Sequence, residues 1–340
     1  MKKGLLFYGA LVAVILALLA LPLLGCTSKP SATAAPIVVW VTPTAGPPWV
    51  VAQQEGFFKE LGINVEPRLT VEDAAPFLAG QSPISSVSSW EGGQYRIEKE
   101  DVMIYGVSGG VRFFNGIAVK ASNYPKPYSS VPDLKGKKLG NPGLGTGSWA
   151  AFVALAKARW NIDATTAFQN VSTSSGAMLA LVDKGELDGA LLFSGATLAA
   201  VASGFPLVFS FDKEWEAFTG FPLMITVNIA RADWVKKNPD TARKINQALD
   251  KAVTWMSQNT DQFNVGGRYE QLARDAGHLA NADTIKLVQS WFKEKKYYSP
   301  SAAYSDGWVD SAQKFSELVL GKDAPAKADM FWSPAEANKK

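Results

Sequence analysis

The sequence predicts an α/β protein built on parallel, doubly wound sheets, and three observations carry that expectation. Short β-branched runs alternate with helical stretches. Each run ends in a cluster of turn formers that opens a helix, and the same grammar restarts near Lys138, where a second lobe would begin. The 340 residues suffice for two modest lobes or one large domain.

Ile37 to Val41 is apolar and β-branched, and residues 42 to 48 are rich in turn formers. Pro47 and Pro48 suit a first helical turn, with the helix running on from Trp49 to Phe58 until Leu61-Gly62 ends it. Residues 63 to 69 form the next strand. Residues 83 to 87 run into Ser88-Ser89-Trp90, where either serine suits the N-cap of a helix through Tyr95 and Ile97. Residues 102 to 107 are a strand closed by Ser108-Gly109-Gly110, and residues 116 to 120 follow the Phe113-Phe114 pair. In the second unit, residues 138 to 141 lead into Gly143-Leu144-Gly145-Thr146-Gly147-Ser148 and an alanine-rich helix from Trp149 to Trp160. Residues 168 to 171 lead to Ser172-Thr173-Ser174-Ser175 and a helix from 177 to 184, and residues 190 to 193 end in Ser194-Gly195. A strand over 223 to 230 precedes a nearly all-helical tail, with Asn238 as cap, Pro239 at the first helical position, and Ile245, Leu249, Val253 and Met256 in one packing stripe. That tail is expected to cover the first lobe.

Lys2 and Lys3 precede a charge-free run from Gly4 to Gly25, the pattern of an export signal. Leu23-Leu24-Gly25-Cys26 resembles the bacterial lipoprotein box. That resemblance implies cleavage before Cys26, diacylglycerol on its sulfur, and anchoring to the outer face of the bacterial cytoplasmic membrane or in the periplasm. The alternative is an uncleaved transmembrane anchor, since about 25 uncharged residues can span a bilayer. Residues 1–25 are thus a signal peptide and 26–36 a small, polar, proline-punctuated tether.

The 34 basic and 31 acidic side chains nearly balance, two of the lysines falling in the leader, so charge gives no case for nucleic acid. Cys26 is the only cysteine and His278 the only histidine. An intrachain disulfide, Cys/His zinc sites, iron–sulfur ligation and redox cysteine pairs are excluded by count, and neither metal nor cofactor is expected. Glu91 and Asp73 define no catalytic carboxylate pair. His278 reads as a surface residue outside every candidate site segment.

The loop from Gly143 to Ser148 tests against two phosphate motifs and fails both, because Ser148 stands where the phosphate loop needs its second glycine and the dinucleotide fingerprint its third. What remains is a run of backbone N–H groups at a helix N-terminus, able to hold a carboxylate, sulfonate or carbonyl, or else a plain tight turn.

Four segments resemble one family in its own order. Residues 52 to 65, Ala-Gln-Gln-Glu-Gly-Phe-Phe-Lys-Glu-Leu-Gly-Ile-Asn-Val, are similar to the first helix and its exit in the solute-binding proteins of nitrate/sulfonate/taurine-type ABC importers, a family that includes thiamine-precursor and riboflavin binders. Asp133-Leu134-Lys135-Gly136-Lys137-Lys138-Leu139-Gly140 is similar to the start of its second lobe. Lys184-Gly185-Glu186-Leu187-Asp188-Gly189-Ala190 resembles its Gly-x-x-Asp-Ala turn, and Trp234-Val235-Lys236-Lys237-Asn238-Pro239 its return helix. The resemblance implies a two-lobe periplasmic-binding-protein fold (type II), with parallel-sheet lobes joined by a two-strand hinge and closing on a ligand. It places lobe 1 at 37–118 and 222–340 and lobe 2 at 119–221, and it implies a membrane ABC permease as partner and a monomeric state.

Ligands of open α/β sheets sit at strand carboxyl ends near helix N-termini. The candidates are therefore Thr42, Thr44, Trp49, Ser88, Ser89, Trp90, Ser108, Arg112, Phe113, Gly145, Thr146, Gly147, Ser148, Trp149, Ser174, Phe193 and Ser194. Arg112 is the first choice for a bidentate contact to an anion, against a solvated loop arginine. Trp49, Trp90 and Trp149 would wall a flat ring, although Trp49 and Trp149 also begin helices and could pack in the core. A planar heteroaromatic ligand ranks ahead of an alkyl or aryl sulfonate, taurine or an aromatic carboxylate. The chain is read as a binding protein, not an enzyme: the yeast-type pyrimidine synthase resembles this family, but its cysteine-rich motif and histidine context are absent. A sensory ectodomain of the same fold is the third reading.

Overall fold

The computed structural model describes residues 35–70, 74–99, 101–112, 115–144, 146–277 and 281–339, without the side chains of Ser175 and Ser194. Cys26, Asp73, Phe113, Gly145 and His278, and the side chain of Ser194, therefore lie outside what is described.

The chain opens with β1 (Ile37–Val41), β2 (Val65–Leu69), β3 (Ile84–Ser88) and β4 (Val102–Gly106). It crosses into β5 (Gly116–Val119), β6 (Lys138–Asn141), β7 (Gln169–Ser172), β8 (Gly189–Leu192) and β9 (Leu207–Ser210), then returns as β10 (Thr226–Arg231). Two five-stranded sheets result, in the orders β2-β1-β3-β10-β4 and β7-β6-β8-β5-β9. Within the first, β1 pairs in parallel with β2 and β3; within the second, β6 pairs in parallel with β7 and β8. The expected all-parallel sense is broken once per sheet, by β10 against β3 and β4 and by β5 against β8 and β9. The reason is topological: these are the two strands that enter a sheet from the crossover, and so run away from the junction that the other strands run toward. Because β5 already lies in the second sheet, the crossover falls ahead of the expected boundary at residue 118.

Local chemistry explains several elements. Pro47 and Pro48 occupy the first turn of helix Gly46–Gln54, where their missing N–H groups cost nothing. The single helix expected through Phe58 is divided at Gly56, whose φ of +79° suits glycine, and a short helix Phe57–Glu60 follows. Asn238 holds the expected N-cap position and Pro239 opens helix Pro239–Gln258, but the Asn238 side chain makes no cap: its amide donates to the Trp234 carbonyl at 2.9 Å. Ile245, Leu249, Val253 and Met256 are all buried.

Two antiparallel segments join the lobes. The Val111 N–H donates to Thr226 Oγ1 at 2.8 Å and the Ile225 N–H to the Val111 carbonyl at 2.7 Å, with Arg112 bridged to Met224. The tail adds a third segment, since the Gly109 N–H donates to the Ser299 carbonyl and the Ser299 N–H to the Gly110 carbonyl, both at 2.9 Å. Gly110 is required here because a Cβ would stand 2.4 Å from the Thr226 carbonyl oxygen.

The tail does more than cover lobe 1. Helix Asp306–Leu320 sets Phe315 edge-on against Trp215 of helix Phe211–Thr219, ring centroids 5.6 Å apart, and Trp215 Nε1 donates to Ser311 Oγ at 2.8 Å. The same helix carries Trp308, packed on Tyr304 and Phe331, so one core cluster runs continuously through both lobes. Phe331 and Trp332 also pair with Ile104, which covers the open edge of β4.

Asp250 pins the tail to helix Pro239–Gln258: its carboxylate accepts from the Ser301 N–H at 2.6 Å and from the Ser301 hydroxyl. Burial raises its pKa above the ordinary carboxylate value, against the opposing pull of Ser301, Ser108 and Lys295. A raised folded pKa means the native state holds the proton longer than the unfolded chain does, so this group's contribution to stability falls as pH rises from the ordinary carboxylate range through the folded value. Thermal melts of the parent and Asp250→Asn between about pH 3 and pH 7 are expected to show the parent losing ground to the variant as pH rises. A difference that is flat or of opposite slope would show that folding does not raise the pKa of Asp250.

Candidate functional site

The end of β3 and the helix that follows it build one wall of a cavity of about 460 Å³. Ser88 caps helix Ser89–Lys99: its Oγ accepts from the Glu91 N–H at 3.2 Å and donates to Glu91 Oε2 at 2.6 Å, while its own N–H reaches the same carboxylate at 3.0 Å. This reciprocal cap fixes Glu91 at the cavity wall, and Gln94 and Tyr95 follow three and four residues later on the same helix face. Trp90 adds a half-buried indole.

The opposite wall is the N-terminus of helix Gly147–Trp160. Thr146 is its N-cap, accepting from the Trp149 N–H at 3.3 Å and donating to the Gly143 carbonyl at 2.8 Å. The Gly147 and Ser148 N–H groups have no partner among the described residues, as expected for the first turn of a helix. Ser148 Oγ accepts from Asn115 Nδ2 at 2.9 Å, and Asn115 is buried in the crossover. The two walls touch where Gly147 meets Trp90; a Cβ on Gly147 would lie 3.2 Å from the indole Cδ1.

Six of the expected residues thus meet in one cavity: Ser88, Ser89, Trp90, Thr146, Gly147 and Ser148. Ser89 there spends its hydroxyl on the Met224 carbonyl. The others lie elsewhere. Trp49 is fully buried against Phe58, Trp149 is 3% exposed against Phe152, and Ser108 is fully buried near Asp250, so none of these side chains reaches the cavity. Both indoles stand in helices whose first turn faces the core, the core packing that their place at a helix start allows. Thr42 and Thr44 serve the turn after β1, where the Ala45 and Gly46 N–H groups bond the Thr42 carbonyl and the Tyr298 hydroxyl donates to the Thr44 carbonyl at 2.8 Å. Ser174 and Phe193 line a separate hollow of about 380 Å³ on the second lobe. Arg112 lines a third, beside Lys213 and Lys296.

Glu91, Gln94, Tyr95, Ile225 and Asn115 were not among the expected residues. The first three carried a usable signal, because a cap at Ser88 puts positions 91, 94 and 95 on one face of the helix. Asn115 and Ile225 carried none; the crossover alone brings them in. Among the described residues no cluster of His, Cys, Asp and Glu is placed to hold a metal ion, and no helix is long and apolar enough to cross a membrane.

With two lobes, paired crossovers and a cavity between the lobes, the comparison with known proteins becomes specific. The family model described as NMT1/THI5 like matches residues 46–262. The chain belongs to the NMT1/THI5-like family. Solved structures similar to this NMT1/THI5-like chain include the putative sulfonate ABC transporter, periplasmic sulfonate-binding protein SsuA from Methylobacillus flagellatus KT, at 18% identity over 87% of this chain and 91% of that one, with a TM-score of 0.64. The periplasmic aliphatic sulphonate binding protein SsuA from Escherichia coli matches at 16% identity over 86% and 95%, with a TM-score of 0.61. The alkanesulfonate-binding protein SsuA from Xanthomonas axonopodis pv. citri bound to MOPS matches at 14% over 88% and 98%, with a TM-score of 0.59. At these identities the likeness is one of fold, and that fold is the two-lobe periplasmic-binding-protein architecture. No curated protein matches the sequence significantly.

Proposed function

We propose that this NMT1/THI5-like chain is the extracytoplasmic solute-binding component of an ABC importer, lipid-anchored through Cys26, and that it captures a small organic sulfonate between Trp90 and Gly147. The observation that carries this reading is the division of labour across one cavity. The second lobe offers two unpartnered N–H groups and the positive end of a helix, while the first offers an indole, a phenol and a carboxylate. A sulfonate placed at Gly147 and Ser148 has its charge met by the helix terminus and its oxygens by N–H donors. Among the described residues no lysine or arginine lines the cavity, whereas Glu91 does, so a ligand that also carries an ammonium group suits it best. An aminosulfonate would place one end on each lobe, and only the closed arrangement would satisfy both ends. Binding and closure, read by the permease, are then the whole mechanism, with no chemical step. The moving bodies in this reading are the expected lobes, 37–118 with 222–340 and 119–221, with the first boundary drawn back ahead of Gly116 so that β5 moves with its own sheet.

A planar heteroaromatic ligand remains a second reading, favoured by the Trp90 and Tyr95 rings and by Glu91 as an acceptor for a ring N–H. A thermal-shift series on the chain beginning at Thr27 separates the two, using taurine, alkanesulfonates, riboflavin and a thiamine pyrimidine precursor. A ligand at 100 times its Kd adds about 2.7 kcal/mol, worth several degrees. Stabilisation by taurine that Glu91→Gln abolishes is the expected result. Stabilisation by the heterocycles alone would transfer the assignment to the second reading, and a chemically altered ligand would overturn both.

A further inference from the structure

A second cavity, of about 520 Å³, lies beside the crossover and shares no lining residue with the one between Trp90 and Gly147. Its walls come from three parts of the fold: helix Ser194–Ala202 with the end of β9 from the second lobe, Trp291 and Lys296 from the tail of the first, and Arg112 from the crossover strand. Three features make it a site for an anion with an apolar body. Arg112, Lys213 and Lys296 line it against one carboxylate, Asp212, which already accepts the Ser210 hydroxyl. Lys296 is paired with Glu294, but among the described residues neither Arg112 nor Lys213 has an ion-pair or side-chain hydrogen-bond partner. Thr197 is 2% exposed, lines the cavity, and its hydroxyl has no hydrogen-bond partner. Leaving a buried hydroxyl unpaired is costly, and a ligand oxygen in this cavity would relieve it. The remaining wall is apolar, from Leu198, Val201 and Leu207.

We propose that this crossover cavity is a second binding site, for an amphiphilic organic anion whose carboxylate or sulfonate meets Arg112 and Lys213 and whose hydrocarbon part lies against Leu198, Val201 and Trp291. The site does not depend on what fills the cavity at Gly147. Octanesulfonate is the probe, titrated calorimetrically into the parent and into Gly147→Leu, which obstructs the first cavity. Octanol and inorganic sulfate serve as the uncharged and headgroup-only controls. One octanesulfonate per chain is expected on Gly147→Leu, weakened at least about tenfold by Arg112→Gln and again by Thr197→Val. Lys213→Gln, on an exposed side chain that no fold contact requires, is expected to weaken it likewise and keeps the test valid if Arg112→Gln does not fold. No binding to Gly147→Leu at millimolar probe, equal affinity for octanol or sulfate, or unchanged affinity in the Lys213 variant overturns the proposal. Failure of taurine to stabilise the parent bears only on the first cavity.

Discussion

Replacing Gly147 by leucine is expected to abolish ligand capture while leaving the ligand-free protein folded. Even a methyl group at that Cα would sit 3.2 Å from Trp90 Cδ1 and 3.3 Å from Cγ, tighter than ordinary van der Waals contact, and leucine's branch would drive further into the indole. The first turn of a helix accepts leucine readily, so the substitution costs the helix nothing locally. The expected readout is a Kd for the stabilising sulfonate raised at least about 100-fold, equivalent to roughly 2.7 kcal/mol, with a melting temperature within about 2 °C of the parent. Gly147→Ala should fall between the two, because the indole edge needs to yield only a few tenths of an ångström. Retained affinity in the leucine variant would show that the two walls need not meet around the ligand.

Trp215→Ala is expected to give the largest loss of stability. The side chain is fully buried, stacked on Phe211 with centroids 5.7 Å apart and set edge-on to Phe315 and Phe218, and its indole N–H is paired with Ser311. Truncating a buried tryptophan typically costs about 3–5 kcal/mol. Here the resulting cavity also opens the seam between the second lobe and helix Asp306–Leu320, so little relaxation can fill it. Thermal unfolding should shift down by about 5–10 °C, and Trp215→Phe, which keeps a ring but loses the hydrogen bond, by less. A shift under about 2 °C for the alanine variant would mean that this aromatic cluster does not brace the lobes.

The strands with β-branched runs were legible because period and composition settle them locally, as in Ile37–Val41 and Val102–Gly106. β9 and helix Phe211–Thr219 were not: Leu207-Val208-Phe209-Ser210 is a four-residue run whose strand identity comes from pairing with β5. The same contrast holds at the site. Serines at a helix cap and glycines at a helix start announce themselves, and they converge as the grammar requires. Whether a tryptophan at a helix start turns to the cavity or the core depends on the neighbouring sheet, which separates Trp90 from Trp49 and Trp149. Arg112 reads in the sequence only as a residue after the Gly109-Gly110 turn; the structure sets it on the crossover, which has two sides, and sequence carries no information about which side a side chain takes.

The position of β10 has a consequence for how the chain acquires its structure. The second sheet is assembled from residues 116–210 without interruption, whereas the first needs β10 between β3 and β4, more than a hundred residues after they are made. A chain emerging N-terminus first therefore holds β3 and β4 with a gap between them until residues 226–231 arrive. The middle of the sequence can complete its own unit earlier than the beginning can. Vectorial delivery, whether from a ribosome or through a membrane channel, would thus leave the N-terminal strands open longest, the interval in which unpaired strand edges are most exposed to wrong partners.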